Sequence, residues 1–211
     1  MSNHFPSEED FRRFAEATAQ SPLSILMSGC LGGELCGFDG SNYGGPGFLA
    51  ALFSLPNVRI TRFCPENFAF GTPRALCDIH GGNGFDVLDG KARVLTESGE
   101  DWTSRALAAA ERMLQIAHEA DAGLAVLMDI SASCGSQVIY DGNRRVPSPK
   151  YQRGPGVCAA RLMRAGIPVI SQRDFATLSR LFDALGASFP SAVPRHDHHE
   201  TDWYRDYFKT R

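Results

Sequence analysis

Short apolar runs alternate with helical patterns along most of the chain, and this alternation constrains the fold more than any other feature of the 211 residues. The clearest run, GLAVLM at 123–128, follows a pattern at 100–120 in which apolar residues recur at helical spacing. Similar runs lie at 23–29 and 167–171, and VRITRF at 58–63 is also interpreted as a strand. Apolar strands that alternate with amphipathic helices are typical of a parallel sheet covered by helices on both faces. The sequence therefore predicts an α/β fold, a single domain with a mainly parallel, Rossmann-like sheet.

The remaining elements follow from local patterns. Helices are predicted at 7–20 with Ser7 as N-cap, 47–55, 100–120, 157–166 and 175–186. The segment 67–90 is so rich in Gly, Pro and Asp that we expect a long irregular loop, followed by a small strand at 91–97. The helix at 175–186 is expected to close the folded part. We divide the chain into an N-terminal helix (1–22), an α/β domain (23–188) and a His- and aromatic-rich tail (189–211).

Charge and hydropathy exclude several classes of function. A net charge of −3 gives no general electrostatic reason to bind nucleic acid or a membrane surface. No apolar run approaches the length of a membrane span, and the N-terminus, MSNHFPSEEDFRRF, lacks the pattern of a signal peptide. We therefore expect a cytoplasmic protein whose thiols stay reduced.

The six cysteines divide into two groups. Cys30, Cys64 and Cys134 each follow a predicted strand, and Cys134 lies in the tight turn SASCGS. Because the carboxyl ends of parallel strands share one edge of the sheet, we expect these three sulfur atoms to emerge together. The remaining cysteines are interpreted by default as buried packing residues, although one in the first Gly-rich loop could be a fourth ligand or a resolving thiol. These three are Cys36, Cys77 and Cys158.

Three thiolates favour a soft metal, either zinc or an iron–sulfur cluster. Three ligands leave one metal position open, which is typical of a site that acts on a bound molecule. The chain contains no C-x-x-C pair, so any shared site must be assembled from distant segments. Position alone leaves a shared metal site and three separate buried thiols both open.

Five motifs in one order resemble the bacterial thiouracil desulfidase family. They are SGCLGG…C-x-F-D-G (28–40), CPENFAFGTPR (64–74), VLDGKARV (87–94), SASCGSQVIYDG (131–142) and GPGVCAARLMRAGIPVIS (154–171). The resemblance covers about residues 24–171, most of the chain.

This resemblance implies a [4Fe-4S] cluster on Cys30, Cys64 and Cys134, with the fourth iron free to take the sulfur of a thiolated base. It also implies acid–base help from Glu66 of the C-P-E motif and from a serine just ahead of the third cysteine. That serine is Ser131 if the match is S-x-S-C, with Ser133 as the nearby competitor. Replacing C=S by C=O needs a water activated at carbon, which a carboxylate can do as general base.

Two more residues are candidates for substrate binding. Asp39 shares the first loop with a cysteine ligand, although by default it is a turn residue. Arg74 could neutralise an anion, or form an ordinary surface ion pair. The chain departs from the usual family pattern in having Gly37-Phe38 in place of Arg-Tyr, Ala132 in place of a proline, and Gly33 in the first motif. These departures leave the substrate open among free base, nucleoside and nucleotide.

The tail has two interpretations. Its clustered polar residues could bind a metal or be solvated, and these are His196, Asp197, His198, His199 and Glu200. Its aromatic residues suggest docking on the domain or on a second subunit, which leaves room for a homodimer. They are Trp203, Tyr204, Tyr207 and Phe208.

The predicted function is cluster-dependent, non-redox desulfuration of a small thiolated pyrimidine or its nucleotide, a hydrolase- or lyase-like C–S cleavage. No nucleic-acid polymer or membrane partner is expected. Three alternatives remain open: a zinc hydrolase on the same cysteines, a non-catalytic module that binds sulfur, iron or a thionucleotide, and a thiol redox protein with Cys36 as resolving cysteine.

Overall fold

The computed structural model describes residues 5–42, 47–189 and 196–209, so parts of the first Gly-rich loop and of the tail lie outside the described residues. The strands are β1 (Leu23–Ser28), β2 (Val58–Phe63), β3 (Cys77–His80), β4 (Arg93–Thr96), β5 (Leu124–Leu127), β6 (Val138–Tyr140), β7 (Tyr151–Arg153) and β8 (Val169–Ser171). The helices are α1 (Glu8–Ala15), α2 (Gly47–Leu52), α3 (Pro65–Phe70), α4 (Gly84–Leu88), α5 (Thr103–Glu119), α6 (Val157–Arg164), α7 (Phe175–Ala184) and α8 (Asp202–Lys209). A single 3₁₀ turn spans His198–Glu200.

Four parallel strands form the central sheet in the order β2-β1-β5-β8. The register of β1 on β2 runs from Leu23 opposite Val58 to Ser28 opposite Phe63, so both strands end at the same level. Two small antiparallel pairs, β3–β4 and β6–β7, lie outside this sheet. The predicted parallel α/β fold is confirmed.

The side chains of β1 and β5 alternate between two hydrophobic cores, as the pleat of a strand requires. Leu26 and Leu127 belong to the core that contains α5 and α6. Ile25 and Val126 face the other core, with α1, α2 and α7. Helices therefore cover both faces of the sheet, and every residue of these two strands is buried.

The first helix begins where the sequence predicts. The Ser7 side chain accepts the backbone N–H of Asp10, whose carboxylate in turn accepts the backbone N–H of Ser7. This reciprocal pair satisfies two donors that the helix itself leaves free. The helix is shorter than predicted and ends at Ala15.

The segment 67–90 contradicts the prediction of an irregular loop. It contains most of α3, all of β3 and all of α4. Two of its residues mark the ends of these elements: Gly71 ends α3 with a φ of 80°, and Asn83 caps α4. Elements of four to six residues leave too short a pattern for their boundaries to be separated from turns.

The tail is also more ordered than the sequence indicates, since the folded part does not close with α7. The helix α8 packs on β7, where the Tyr207 hydroxyl accepts the Tyr151 N–H at 2.8 Å and Arg153 donates to the carbonyl of Phe208 at 3.1 Å. The sequence left two partners open for the aromatic tail, the domain and a second subunit, and in the structure the tail docks on the domain. Across the described ranges, no helix combines the length and apolar character needed to span a membrane.

Candidate metal centre and active site

A cavity of about 430 Å³ opens beyond the carboxyl ends of β1, β2 and β5. These strands are neighbours in the sheet, so the loops that follow them meet above it. Five of the six cysteines line the cavity: Cys30, Cys36, Cys64, Cys77 and Cys134. The sequence predicted the meeting of Cys30, Cys64 and Cys134. It gave no reason to place Cys77 there.

Cys30 lies two residues after the end of β1 and is buried. Burial raises the pKa of its thiol to about 12, and the nearby Cys64 and Glu66 add to the rise by charge repulsion. A thiol in this position stays protonated unless a cation compensates the thiolate.

Cys64 directly follows β2 and is the N-cap of α3. Its sulfur accepts the backbone N–H of Asn67 at 3.3 Å, and Pro65 occupies the first helical position, where no N–H is needed. Burial raises the pKa of Cys64, while the bond from Asn67 lowers it. The C-P-E motif therefore has a local structural reason: it starts a helix with a sulfur at the cap and a carboxylate in the first turn.

Cys134 lies in the loop that follows β5 and is buried. Its backbone N–H donates to the Ser131 hydroxyl at 3.1 Å, as does that of Ser133 at 3.2 Å. Burial raises the pKa of the Cys134 thiol well above its usual value, and the other cysteines, Cys158 first, add to the rise. The hydroxyl of Ser28, another residue of the cavity wall, hydrogen-bonds this thiol and opposes the rise.

Glu66 links the cysteine loops to each other. Its Oε1 accepts the Ser131 hydroxyl at 3.2 Å, and its Oε2 accepts Arg74 Nη2 at 2.8 Å. Arg74 is 5% exposed and also donates to the carbonyls of Cys36 and Gly71, at 3.0 and 3.1 Å. A buried guanidinium with these acceptors is a fixed support, and not the surface ion pair that the sequence left open.

Some of the candidate substrate-binding residues lie at the cavity wall and others do not. The structure brings Arg74 and Ser131 to the cavity wall but does not bring Asp39, whose carboxylate binds the N–H and hydroxyl of Ser41 on an exposed turn. These two bonds, the hydroxyl first, lower the pKa of Asp39. Ser133 is buried beside the wall, and its carbonyl accepts the N–H groups of Cys158 and Ala159 in the first turn of α6.

Cys36 lies against Cys64. The Cys64 thiol approaches the Cys36 carbonyl at 3.7 Å, and burial followed by the Cys64 charge raises the pKa of Cys36 far above its ordinary range. Cys158 is buried in the core on α6, as the sequence predicts. Cys36 therefore belongs to the candidate site by position, whereas Cys158 does not.

Sequence reasoning missed the outer wall of the cavity. Tyr140 and Tyr151 face each other across β6 and β7 with ring centroids 4.8 Å apart. Arg144 lies over the Tyr140 ring and pairs with the buried Asp78 at 2.6 Å. Arg173, after β8, is exposed at the wall, and no ion pair joins it to a carboxylate of the described residues. Only the glycine- and proline-rich context of 136–156 hinted at β6 and β7, because each strand has three residues.

Fold and cavity together define an α/β protein with a cysteine-lined site at the carboxyl edge of its parallel sheet. The model of the 2-thiouracil desulfurase family matches residues 25–174. Since this match covers more than half of the chain, the protein belongs to that family, and the resemblance drawn from the five motifs is confirmed.

Two similar proteins support this assignment. The uncharacterized protein YbbK of Bacillus subtilis (strain 168) is 39% identical over 151 residues, which span 71% of this chain and 96% of YbbK. The solved structure of TudS, described as a [4Fe-4S]-dependent thiouracil desulfidase, is 32% identical with a TM-score of 0.58. That match spans 71% of this chain and 90% of TudS.

Proposed function

We propose that the protein removes sulfur from a thiolated pyrimidine in this cavity, at a [4Fe-4S] cluster held by Cys30, Cys64 and Cys134. The main observation behind this proposal is that the thiols after three neighbouring strands line the same cavity as Glu66 and Ser131, which are hydrogen-bonded to each other. Family membership and the activity named for TudS support the same proposal.

The donor set fits an iron–sulfur cluster. Burial raises the pKa of each of the three thiols, so holding them as thiolates requires a strongly bound cation. A single zinc ion would need sulfur ligands at about 2.3 Å from the metal, and hence about 4 Å from one another. Among the described residues, three potential ligands lie within 4.8 Å of one another at Asp174, Asp197 and His199, and not at the cysteines. The wider spacing of the cysteines favours a larger inorganic group over one zinc ion.

When bound, such a cluster supplies a Lewis-acidic iron without a protein ligand, which can hold a sulfur atom. Glu66 acts as general base: its carboxylate takes a proton from the water whose oxygen adds to the C=S carbon. Sulfide leaves with both electrons of the broken bond, so C=S and water become C=O and hydrogen sulfide with no net redox change. Arg74 fixes the Glu66 carboxylate and balances its charge.

Of the two serines, we assign the catalytic role to Ser131. Its hydroxyl oxygen accepts two backbone N–H groups, so its hydrogen is oriented toward Glu66 Oε1, to which it donates. Ser131→Ala should therefore slow sulfide release strongly, whereas Ser133→Ala should leave the rate within about twofold of the wild-type rate. The opposite order would reassign the role to Ser133.

The main test is anaerobic sulfide release from 2-thiouracil, 4-thiouracil and thio-UMP by reconstituted protein. Cys30→Ser, Cys64→Ser and Cys134→Ser should each lose the broad brown absorption and the activity. Cys158→Ala is the matched control, because alanine leaves no unsatisfied polar group in the core. Full colour in Cys134→Ser, or no sulfide from any substrate with the wild-type protein, would refute the proposal.

The same assay separates base from nucleotide. Arg74 and Arg144 are both paired with carboxylates, so among the described residues that line the cavity Arg173 is the cation left for a substrate anion. If the substrate is a nucleotide, Arg173→Ala should raise KM for thio-UMP by about tenfold and leave KM for 2-thiouracil unchanged. An equal effect on both substrates would favour the free base.

A second candidate, thiol redox chemistry, is favoured by the proximity of Cys36 and Cys64: both line the cavity, and burial, the Cys64 charge and a hydrogen bond between their side chains raise the pKa of Cys36. If these residues form a redox pair, Cys36→Ser should abolish activity while the brown absorption remains. If Cys36 is instead a fourth cluster ligand, the same variant should change the spectrum. An unchanged spectrum and activity would leave Cys36 as a packing residue.

A further inference from the structure

The loop 129–136, which carries Ser131 and Cys134, has a strained backbone. Ile130 has a φ of 53°, a left-handed conformation in which a β-branched side chain crowds its own backbone. Such a conformation persists only where the surrounding structure holds it. The groups that hold this loop therefore bear on the position of both functional residues.

Asp129 closes the loop at its base. Its Oδ1 accepts the N–H of Ser136 at 3.2 Å, and its own N–H donates to Gln172 Oε1 at 2.9 Å. Directly after the loop, Gln137 donates to Asp174 Oδ1 at 2.6 Å. The side chain of Asp129 is 0% exposed, so its charge needs a protein partner.

That partner comes from the tail. His198 Nδ1 lies 2.5 Å from Asp129 Oδ2, and the His198 side chain is 3% exposed. Since a carboxylate can only accept, Nδ1 is the donor. The other ring nitrogen, Nε2, is buried without a partner among the described residues, and the ring stacks on Trp203 with centroids 5.4 Å apart.

The tail itself is fastened independently of this bond. The His198 N–H donates to Asp174 Oδ1 at 3.1 Å, and Asp197 accepts the N–H and hydroxyl of Thr177 at 2.9 and 2.6 Å. The α8 contacts with Tyr151 and Arg153 add a second attachment. This segment lies outside residues 25–174, which match the family.

We propose that the C-terminal segment 196–209 is a clamp on the cysteine loop, and that His198 is a positioning residue that acts through Asp129. By holding the Asp129 carboxylate, His198 keeps Ser136 and the strained Ile130 in place, and with them Ser131 and Cys134. The importance of those two residues rests on the function proposed above, whereas the clamp itself does not.

The test compares His198→Ala with His198→Asn, in which the amide nitrogen can replace Nδ1 as donor. His118→Ala is the matched control, since His118 is an exposed histidine in the last turn of α5 and does not line the cavity. Amide hydrogen exchange of the full chain without a cluster is measured for 129–137, with β1 as the reference for global unfolding. We expect exchange in 129–137 to accelerate at least about tenfold in His198→Ala, with β1 unchanged, and to be largely restored in His198→Asn.

A second readout follows iron bound per chain and sulfide release after reconstitution. The clamp predicts lower iron occupancy and a lower kcat with unchanged KM in His198→Ala, and recovery in His198→Asn. Unchanged exchange in 129–137 would overturn the clamp. Faster exchange with normal iron occupancy and kcat would overturn the positioning role. If the wild-type protein releases no sulfide, the proposed function fails, while exchange and iron occupancy still decide the clamp.

Discussion

At the scale of single residues, Glu66 links the loops that follow three strands of the sheet. It accepts a hydroxyl from the loop after β5 and a guanidinium that also holds the loop after β1. One carboxylate therefore joins the segments that carry the three candidate cysteine ligands. The C-P-E motif made Glu66 predictable from sequence, but its partners were not, because Arg74 and Ser131 are eight and 65 positions away.

Replacing Glu66 by glutamine should separate catalysis from assembly. Glutamine keeps an oxygen for the Ser131 hydroxyl but cannot take a proton, so sulfide release should fall by about 100-fold or more. Iron content and the brown absorption should match those of the wild-type protein. Glu97→Gln, on a surface ion pair, is the control. Equal rates for Glu66→Gln and wild type would remove Glu66 from the mechanism.

Asp174 should give the unfolding free energy a measurable pH dependence. Burial raises its pKa to about 6, while N–H donors from Ser171 and His198 act in the opposite direction. The folded state therefore binds more protons than the unfolded state between about pH 4 and pH 6, so this contribution to stability is lost as pH rises through that window.

The measurement compares wild type with Asp174→Asn by urea unfolding from pH 4 to 8. The free energy of unfolding of the wild type, relative to that of Asp174→Asn, should decrease by about 2 kcal/mol between pH 4 and pH 7 and then stay level. Asp183→Asn, an exposed position on the same helix, is the control. A difference that is independent of pH would contradict the raised pKa.

At the scale of elements, the long helices and the buried strands were predictable because each repeats its pattern several times. The helix α5 has 17 residues and shows its apolar face clearly, whereas α3, β3 and α4 have four to six residues each. For these short elements, contacts with the rest of the chain decide the conformation. The strand β3, for example, pairs with β4, and its Asp78 binds Arg144 from beyond β6.

The cap of α3 allows the structural role of Cys64 to be separated from its proposed role as a cluster ligand. Serine also caps helices well, so Cys64→Ser should keep α3, whereas Cys64→Ala should lose about 1 kcal/mol of stability in protein without a cluster. Both variants should fail to bind iron at wild-type levels. Urea unfolding of the two variants measures the difference. Equal stabilities would show that the bond to Asn67 contributes nothing.

At the scale of the whole molecule, the sheet order explains how the sequence could predict that Cys30, Cys64 and Cys134 lie at one edge of the sheet. Three strands that were each recognisable by composition turn out to be neighbours, β2-β1-β5, so residues 30, 64 and 134 reach one edge. The role of the tail was not predictable in the same way. His198 looked like one member of a polar cluster, and only tertiary packing shows that it meets Asp129 under the site.

Loading and removing the cluster should change the stability of the entire domain. A group bound by three loops stabilises only the folded state, so the reconstituted protein should melt at least about 5 °C above the cluster-free protein. The comparison is made by anaerobic calorimetry. Cys134→Ser should show no such difference between treated and untreated samples. A wild-type Tm that does not respond to reconstitution would argue against a cluster bridging these loops.

The sheet order also determines the order in which the three cysteines can come together while the chain is being synthesised. Because β1 and β2 are consecutive, Cys30 and Cys64 can become neighbours while the rest of the chain is still being translated. Cys134 joins them only after β5 has paired with β1. A newly made chain therefore passes through a stage in which Cys30 and Cys64 are adjacent but Cys134 has not yet joined them. At this stage the two thiols are open to oxidants, and the proposed iron site is incomplete. If the three thiols hold the proposed cluster, it can be completed only after β5 has joined the sheet.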